Sequence, residues 1–115
     1  MLTASAKAKG RNLQKWVRDL MLRLSRLSSD DIRSTSMGAG GEDLLLSPAA
    51  REIYPISIEC KNVEKLNVWN AYDQASDNAG VWEPVLVFKK NRREPMVMVN
   101  AEFFFKCLTH SPDET

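Results

Sequence analysis

Histidine and cysteine are almost missing from this chain of 115 residues, which has one His and two Cys. The single His110 lies near the C-terminus, and that argues against imidazole-based catalysis. Cys60 and Cys107 stand far apart within apolar patterns, so neither a disulfide framework nor a zinc-ligand spacing is present. Glycine and proline number five each, too few for a low-complexity chain. Long apolar runs are also missing. The longest cover 44–46, 85–88, 96–99 and 103–105, far short of the roughly 20 residues that span a bilayer. Residues 1–11 are polar and basic, without the apolar stretch of a secretory leader. A soluble, cytoplasmic protein is expected.

What remains is an ordinary globular composition, 43% hydrophobic and 27% charged, enough for one domain with a modest core. The domain is expected to cover 1–115, with 1–8 and 109–115 as flexible tails. The net charge of +1 hides an uneven distribution. Lys7, Lys9, Arg11, Lys15, Arg18, Arg23 and Arg26 face a single acid, Asp19, and Lys89, Lys90, Arg92 and Arg93 form a second cluster. Cations gathered in this way suit a polyanion partner. A solvated basic helix and a charged turn are the plainer alternative.

Leu13, Trp16, Val17, Leu20, Met21, Leu24 and Leu27 recur at helical spacing and predict a helix over 10–27. Residues 32–37 read as short and extended, and 38–41 as a glycine-rich turn. Strands are expected at 43–47 and 55–60, with a turn at 48–51 between them. In the second strand Ile56 and Ile58 alternate against Ser57 and Glu59. A helix over 68–78 carries Trp69, Tyr72 and Ala75 on one stripe, and Gly80 is its C-cap candidate. Strands at 85–89 and 96–99 enclose a hairpin turn. Asn100 can cap a last helix from 101 to about 108. Helices flanking a mixed sheet define an α/β layered domain. Trp16 and Trp69 are expected in the core. Phe103, Phe104 and Phe105 cannot all face one core, and a dimer contact is one use for them.

The chemistry-bearing residues are those that do not suit their strands. Glu59 and Lys61 flank Cys60 at a strand end and point to one face. Asp43 opens the preceding strand, and adjacent strands can bring it close to Glu59. Two carboxylates at that distance repel unless a divalent cation lies between them. Mg²⁺ suits such a pair, because it takes one or two carboxylates, keeps waters and completes its shell with phosphate oxygens. Mn²⁺ is a natural substitute. Lys61 then stands beside the cation and can orient water or stabilise a crowded phosphate. Gln74, on the following helix, is a candidate fourth member. Cys60 points its side chain to the opposite face, into the core.

The run Gly41-Glu42-Asp43-Leu44-Leu45-Leu46, then Ile56-Ser57-Ile58-Glu59-Cys60-Lys61, then Gln74, resembles the PD-(D/E)xK nuclease signature. The similarity is closest to archaeal-type Holliday junction resolvases and to small phage-encoded nucleases of that group. Lys9-Gly10 resembles their basic opening of the first helix, and Arg33-Ser34-Thr35-Ser36 the Arg-plus-Ser stretch ahead of their glycine turn. The resemblance implies a restriction-endonuclease-like core of order αβββαβ. It also implies a metal held by Asp43, Glu59 and the Cys60 carbonyl, and Arg33, Ser34 and Ser36 near the scissile phosphate. Two positions depart from the pattern. Glu42 replaces the usual proline, and Gln14 stands where relatives carry a Glu on the first helix. Gln14 can ligate through oxygen but adds no charge. Asp19 lies about 140° further around the helix and is a poor stand-in.

The function expected from these residues is metal-dependent hydrolysis of branched DNA, a four-way junction or a flap, by a homodimer. Backbone would be gripped by Lys7, Lys9, Arg11, Lys15 and Arg18 on the first helix and by Lys89, Lys90, Arg92 and Arg93. The alternative is a DNA-binding module of the same fold that cleaves weakly or not at all, with Gln14 as its sign. A sequence-specific nuclease is disfavoured, since so short a chain has no room for a separate recognition domain.

Overall fold

The structure, a computed structural model, describes residues 4–35 and 41–109. The elements run α1 (Ala4–Arg23), β1 (Ile32–Ser34), β2 (Leu44–Leu46), α2 (Pro48–Ile53), β3 (Ile56–Asn62), α3 (Val68–Asn78), β4 (Glu83–Lys89), β5 (Met96–Met98) and α4 (Ala101–Thr109). The class is α/β, as expected. β1 and β2 form an antiparallel pair with Arg33 opposite Leu45. β3, β4 and β5 form a mixed sheet in that order, β3 parallel to β4 and β4 antiparallel to β5. Parallel neighbours need a long crossover, and α3 supplies it.

β3 is covered on both faces. Ile58 and Cys60 join Leu13, Val17 and Met21 of α1 and Val85 and Val87 of β4 in the main core. Ser57 and Glu59 alternate to the other side and are buried as well. There α3 brings Ala71 and Ala75, small enough for the helix to lie close to the sheet. Burial on both faces is characteristic of a parallel sheet between helices.

Several expectations are corrected. α1 starts at Ala4, so 4–8 is helix and not a tail. Alanine and lysine there are strong helix formers, but they add no apolar period to mark the start. α1 also stops at Arg23, before 27. Ser25 hydrogen-bonds the Leu22 carbonyl through its N–H and its hydroxyl, and its Oγ accepts from Leu27 N–H. Such local bonds compete with the helix. The turn read at 48–51 is α2. Ser47 caps it by accepting from Ala50 N–H, and Pro48 occupies the first turn, a favourable helix start. Trp16 is 45% exposed and Trp69 is 68% exposed, not core. α3 instead turns its alanines to the sheet, and a tryptophan in their place would hold the helix away. Residues 110–115, expected as tail, lie outside the described residues, while Thr109 is helical.

Candidate active site

Asp43 stands at the seam between the two sheets. Its N–H donates to the Ile58 carbonyl (3.0 Å), and its own carbonyl accepts from Thr35 N–H (2.9 Å). Its Oδ2 accepts from Cys60 N–H at 2.7 Å. Gly41, at φ 89°, turns the chain into place. Glu42 is anchored by Arg51, whose Nη2 donates to both carboxylate oxygens (2.8 and 2.6 Å). The same guanidinium lies 4.7 Å over the Trp82 ring. Asp43 therefore meets β3 through a few specific bonds at one point, beyond the end of the β2 ladder.

Glu59 and Lys61 share a face of β3, as the two-residue period requires, with Nζ 3.7 Å from Oε1. Glu59 is 6% exposed, and its Oε2 is buried with no hydrogen-bond partner among the described residues. Burial pushes the Asp43 carboxyl up, against the Cys60 N–H, the Lys61 charge and a hydrogen bond from Gln14. Burial also pushes Glu59 up, the Asp43 charge adds to the rise, and Lys61 and the Asn78 amide oppose it. A buried and a half-buried carboxylate that repel each other, with an orphaned oxygen, are a donor set that a divalent cation stabilises.

Gln14 belongs to this cluster. It is 2% exposed, accepts from the Ser34 hydroxyl at 2.6 Å and hydrogen-bonds Asp43. It thus links α1 and β1 to the seam. Burial drives the Cys60 thiol far up, with the Asp43 and Glu59 charges adding, so the sulfur stays protonated. A strand residue directs its N–H and C=O to the same side, so the Cys60 carbonyl faces the Asp43 side. Among the described residues no group of three or more His, Cys, Asp or Glu side chains is gathered for a metal. The available donors are two carboxylates and the Cys60 carbonyl, with Lys61 alongside; the Gln14 amide turns its oxygen to Ser34 and its N–H to Asp43.

Gln74 is not brought in; it lies exposed on α3. Asn78, one turn later, is the α3 amide that influences Glu59. Sequence reasoning missed Asn78 because an asparagine near a glycine reads as a helix end, although i and i+4 share a side. Of the basic residues, Lys7, Arg11 and Lys15 are exposed on α1, and Lys9 lies 3.9 Å from Glu64. Arg18 is committed to the fold, against its expected role on DNA. It donates to the Ile32 carbonyl (2.8 Å) and the Ser29 carbonyl (3.1 Å) and pairs with Asp19 (3.1 Å). Arg33 is exposed on β1. Lys90, Arg92 and Arg93 are exposed on the β4–β5 turn, and Lys89 is half-buried. Ser36 lies outside the described residues. No described helix is long and apolar enough to cross a membrane. Comparisons with protein families, with curated proteins and with solved structures give no match.

Proposed function

We propose that this chain is a metal-dependent endodeoxyribonuclease of the PD-(D/E)xK kind, with a restriction-endonuclease-like core, acting on branched DNA in the cytoplasm. The observation that carries the reading is the convergence of half-buried Asp43 and buried Glu59 beside Lys61. Asp43 and Glu59, with the Cys60 carbonyl, would hold Mg²⁺ or Mn²⁺, and Gln14 would steady the Asp43 carboxylate. The unpartnered Glu59 oxygen and the mutual repulsion of the two acids support that fit. When bound, such an ion acts as a Lewis acid on a phosphoryl oxygen and lowers the pKa of water.

The chain's own residues perform the rest. Lys61 presents an ammonium beside Glu59, placed to orient water and to stabilise charge growing on the phosphate. Water attack on phosphorus with departure of the 3′ oxygen leaves a 5′-phosphate. The cations of α1 and of the β4–β5 turn hold backbone with little sequence preference, which suits recognition by shape. Symmetric incision of a junction needs two sites, and a C₂ dimer supplies them.

The test is incubation with a four-way junction, a flap and linear duplex in Mg²⁺, Mn²⁺ or EDTA. Cleavage is expected with either metal and not with EDTA. Asp43→Asn, Glu59→Gln and Lys61→Ala should each abolish it while folding and DNA binding survive. Wild-type cleavage by Asp43→Asn would remove the assigned site. One observation favours a second reading, a module that binds branched DNA without cutting it. Position 14 is a neutral amide, already bonded to Ser34 and Asp43. Binding to a junction with no cleavage in Mg²⁺ or Mn²⁺ is its signature.

A further inference from the structure

The tip of the β4–β5 hairpin faces α1 across a recess of about 470 Å³. Trp16 and Asn62 line one side, and Lys89, Arg92, Arg93 and Glu94 the other. Leu13 and Val17, the neighbours of Trp16 on α1, are buried in the core, whereas Trp16 is 45% exposed. An open aromatic face opposite a group of cations is the combination that binds single-stranded nucleic acid, base on ring and phosphate on cation.

Two features mark the main chain of the turn that carries the cations. Glu64 accepts from Asn91 N–H at 2.7 Å and lies 3.9 Å from Lys9, so the turn is tied to the segment after β3 and to α1. Arg92 adopts φ 65°, a left-handed conformation that turns normally give to Gly or Asn. An L side chain there costs stability, and strain of this kind collects at functional positions.

We infer that this recess is a site for an unpaired DNA strand, with a base stacked on Trp16 and its phosphates on Arg92, Arg93 and Lys89. The recess has the volume of a small-ligand site and cannot admit a duplex, whose bases have both faces covered by their neighbours. Asn62 directly follows Lys61, and their side chains leave β3 on opposite faces. The recess therefore lies at the Asn62 end of β3, three residues or roughly 10 Å along the strand from Glu59, whose side chain leaves on the other face. A branch with a free strand can engage both. This favours flap-like DNA over a fully paired junction. The inference rests on the nuclease reading only in assigning the unpaired strand to the DNA being cut.

The test is fluorescence anisotropy of a dye-labelled oligothymidine and of a blunt duplex of equal length, in EDTA. The single strand should bind more tightly to the wild-type chain. Trp16→Ala should weaken that binding roughly 5- to 150-fold, the range of one lost base–aromatic stack. Trp16→Phe should restore most of it. Arg92→Gly should melt at a higher temperature, because the turn is relieved, yet bind the oligomer more weakly, with a salt slope shallower by about 0.7. Unchanged oligothymidine affinity in either Trp16→Ala or Arg92→Gly would overturn the site, as would equal wild-type affinity for the duplex. Binding is read without metal. Absence of cleavage on every branched substrate would thus sink the nuclease reading and leave the recess standing.

Discussion

Glu59 is the residue whose environment is least comfortable. Burial, and then the charge of Asp43, raise its carboxyl, and burial raises Asp43 as well. The folded chain therefore holds these protons more tightly than the unfolded chain does. The stability they contribute is full below the ordinary values of 3.8 and 4.5 and is lost as pH rises through the raised folded values. Above that window the pair is a cost. Glu59→Gln should melt above wild type at pH 7 in EDTA, and the gap should close as pH falls through that window. Thermal melts across the range check it. Excess Mg²⁺ should raise the wild-type melting temperature and leave Glu59→Gln nearly unmoved. Ligand at a hundred times its Kd stabilises by about 2.7 kcal/mol. Gln14→Glu should melt lower than wild type in EDTA, because it adds a third carboxylate, and gain more from Mg²⁺. An identical Mg²⁺ titration would show that position 14 does not face the ion. The pairing of Glu59 with Lys61 was legible in the sequence, because a period of two fixes which strand residues share a face. The bond from the Ser34 hydroxyl to Gln14 was not, since it joins residues 20 positions apart on different elements.

Among the elements, the short ones were hardest to read. α2 has six residues and too little apolar pattern to show a period, and Pro48 reads equally as a turn. The Ser47–Pro48 start was the available signal. Ser47→Ala should cost about 1 kcal/mol as a lost cap. It would cost more where Asp31 matters, since the Ser47 hydroxyl also donates to Asp31 at 2.7 Å. Denaturant melts give the value. α3 shows a different failure. Its bounds were legible, but its buried face was not, because Trp69 and Tyr72 dominate any reading by hydrophobicity while alanines make the contact. Ala75→Leu should destabilise by about 1–3 kcal/mol through overpacking against the sheet, and Trp69→Ser should change little. The reverse ranking in chemical denaturation would put the wrong face of α3 on the sheet.

At the scale of the whole molecule, α4 carries Phe104 and Phe105 in an edge-to-face pair 5.3 Å apart, yet none of its residues is buried. Met96 and Val97 on the edge strand β5 are exposed as well. Val97 lines one recess with Phe103 and Phe104, and that apolar region is what the proposed dimer would cover. Light scattering at micromolar concentration should give twice 13.0 kDa, and Phe105→Glu should halve it. A wild-type mass of 13.0 kDa, with or without DNA, would remove paired incision and leave flap processing. The class of fold could be read from the order of helices and strands. The division into two pieces of sheet could not, because it depends on where backbone bonds cross at Asp43. That crossing has a practical consequence. Asp43 is a joint as well as a charge, since its main chain bridges Thr35 to Ile58 and its carboxylate clasps the Cys60 amide. Removing the side chain with alanine would open the joint and imitate a lost catalyst by loosening the frame. Asparagine keeps an oxygen for that amide and so isolates the charge. Hydrogen exchange at the Cys60 amide tells the two apart, slow while the clasp is closed and fast once it has been cut.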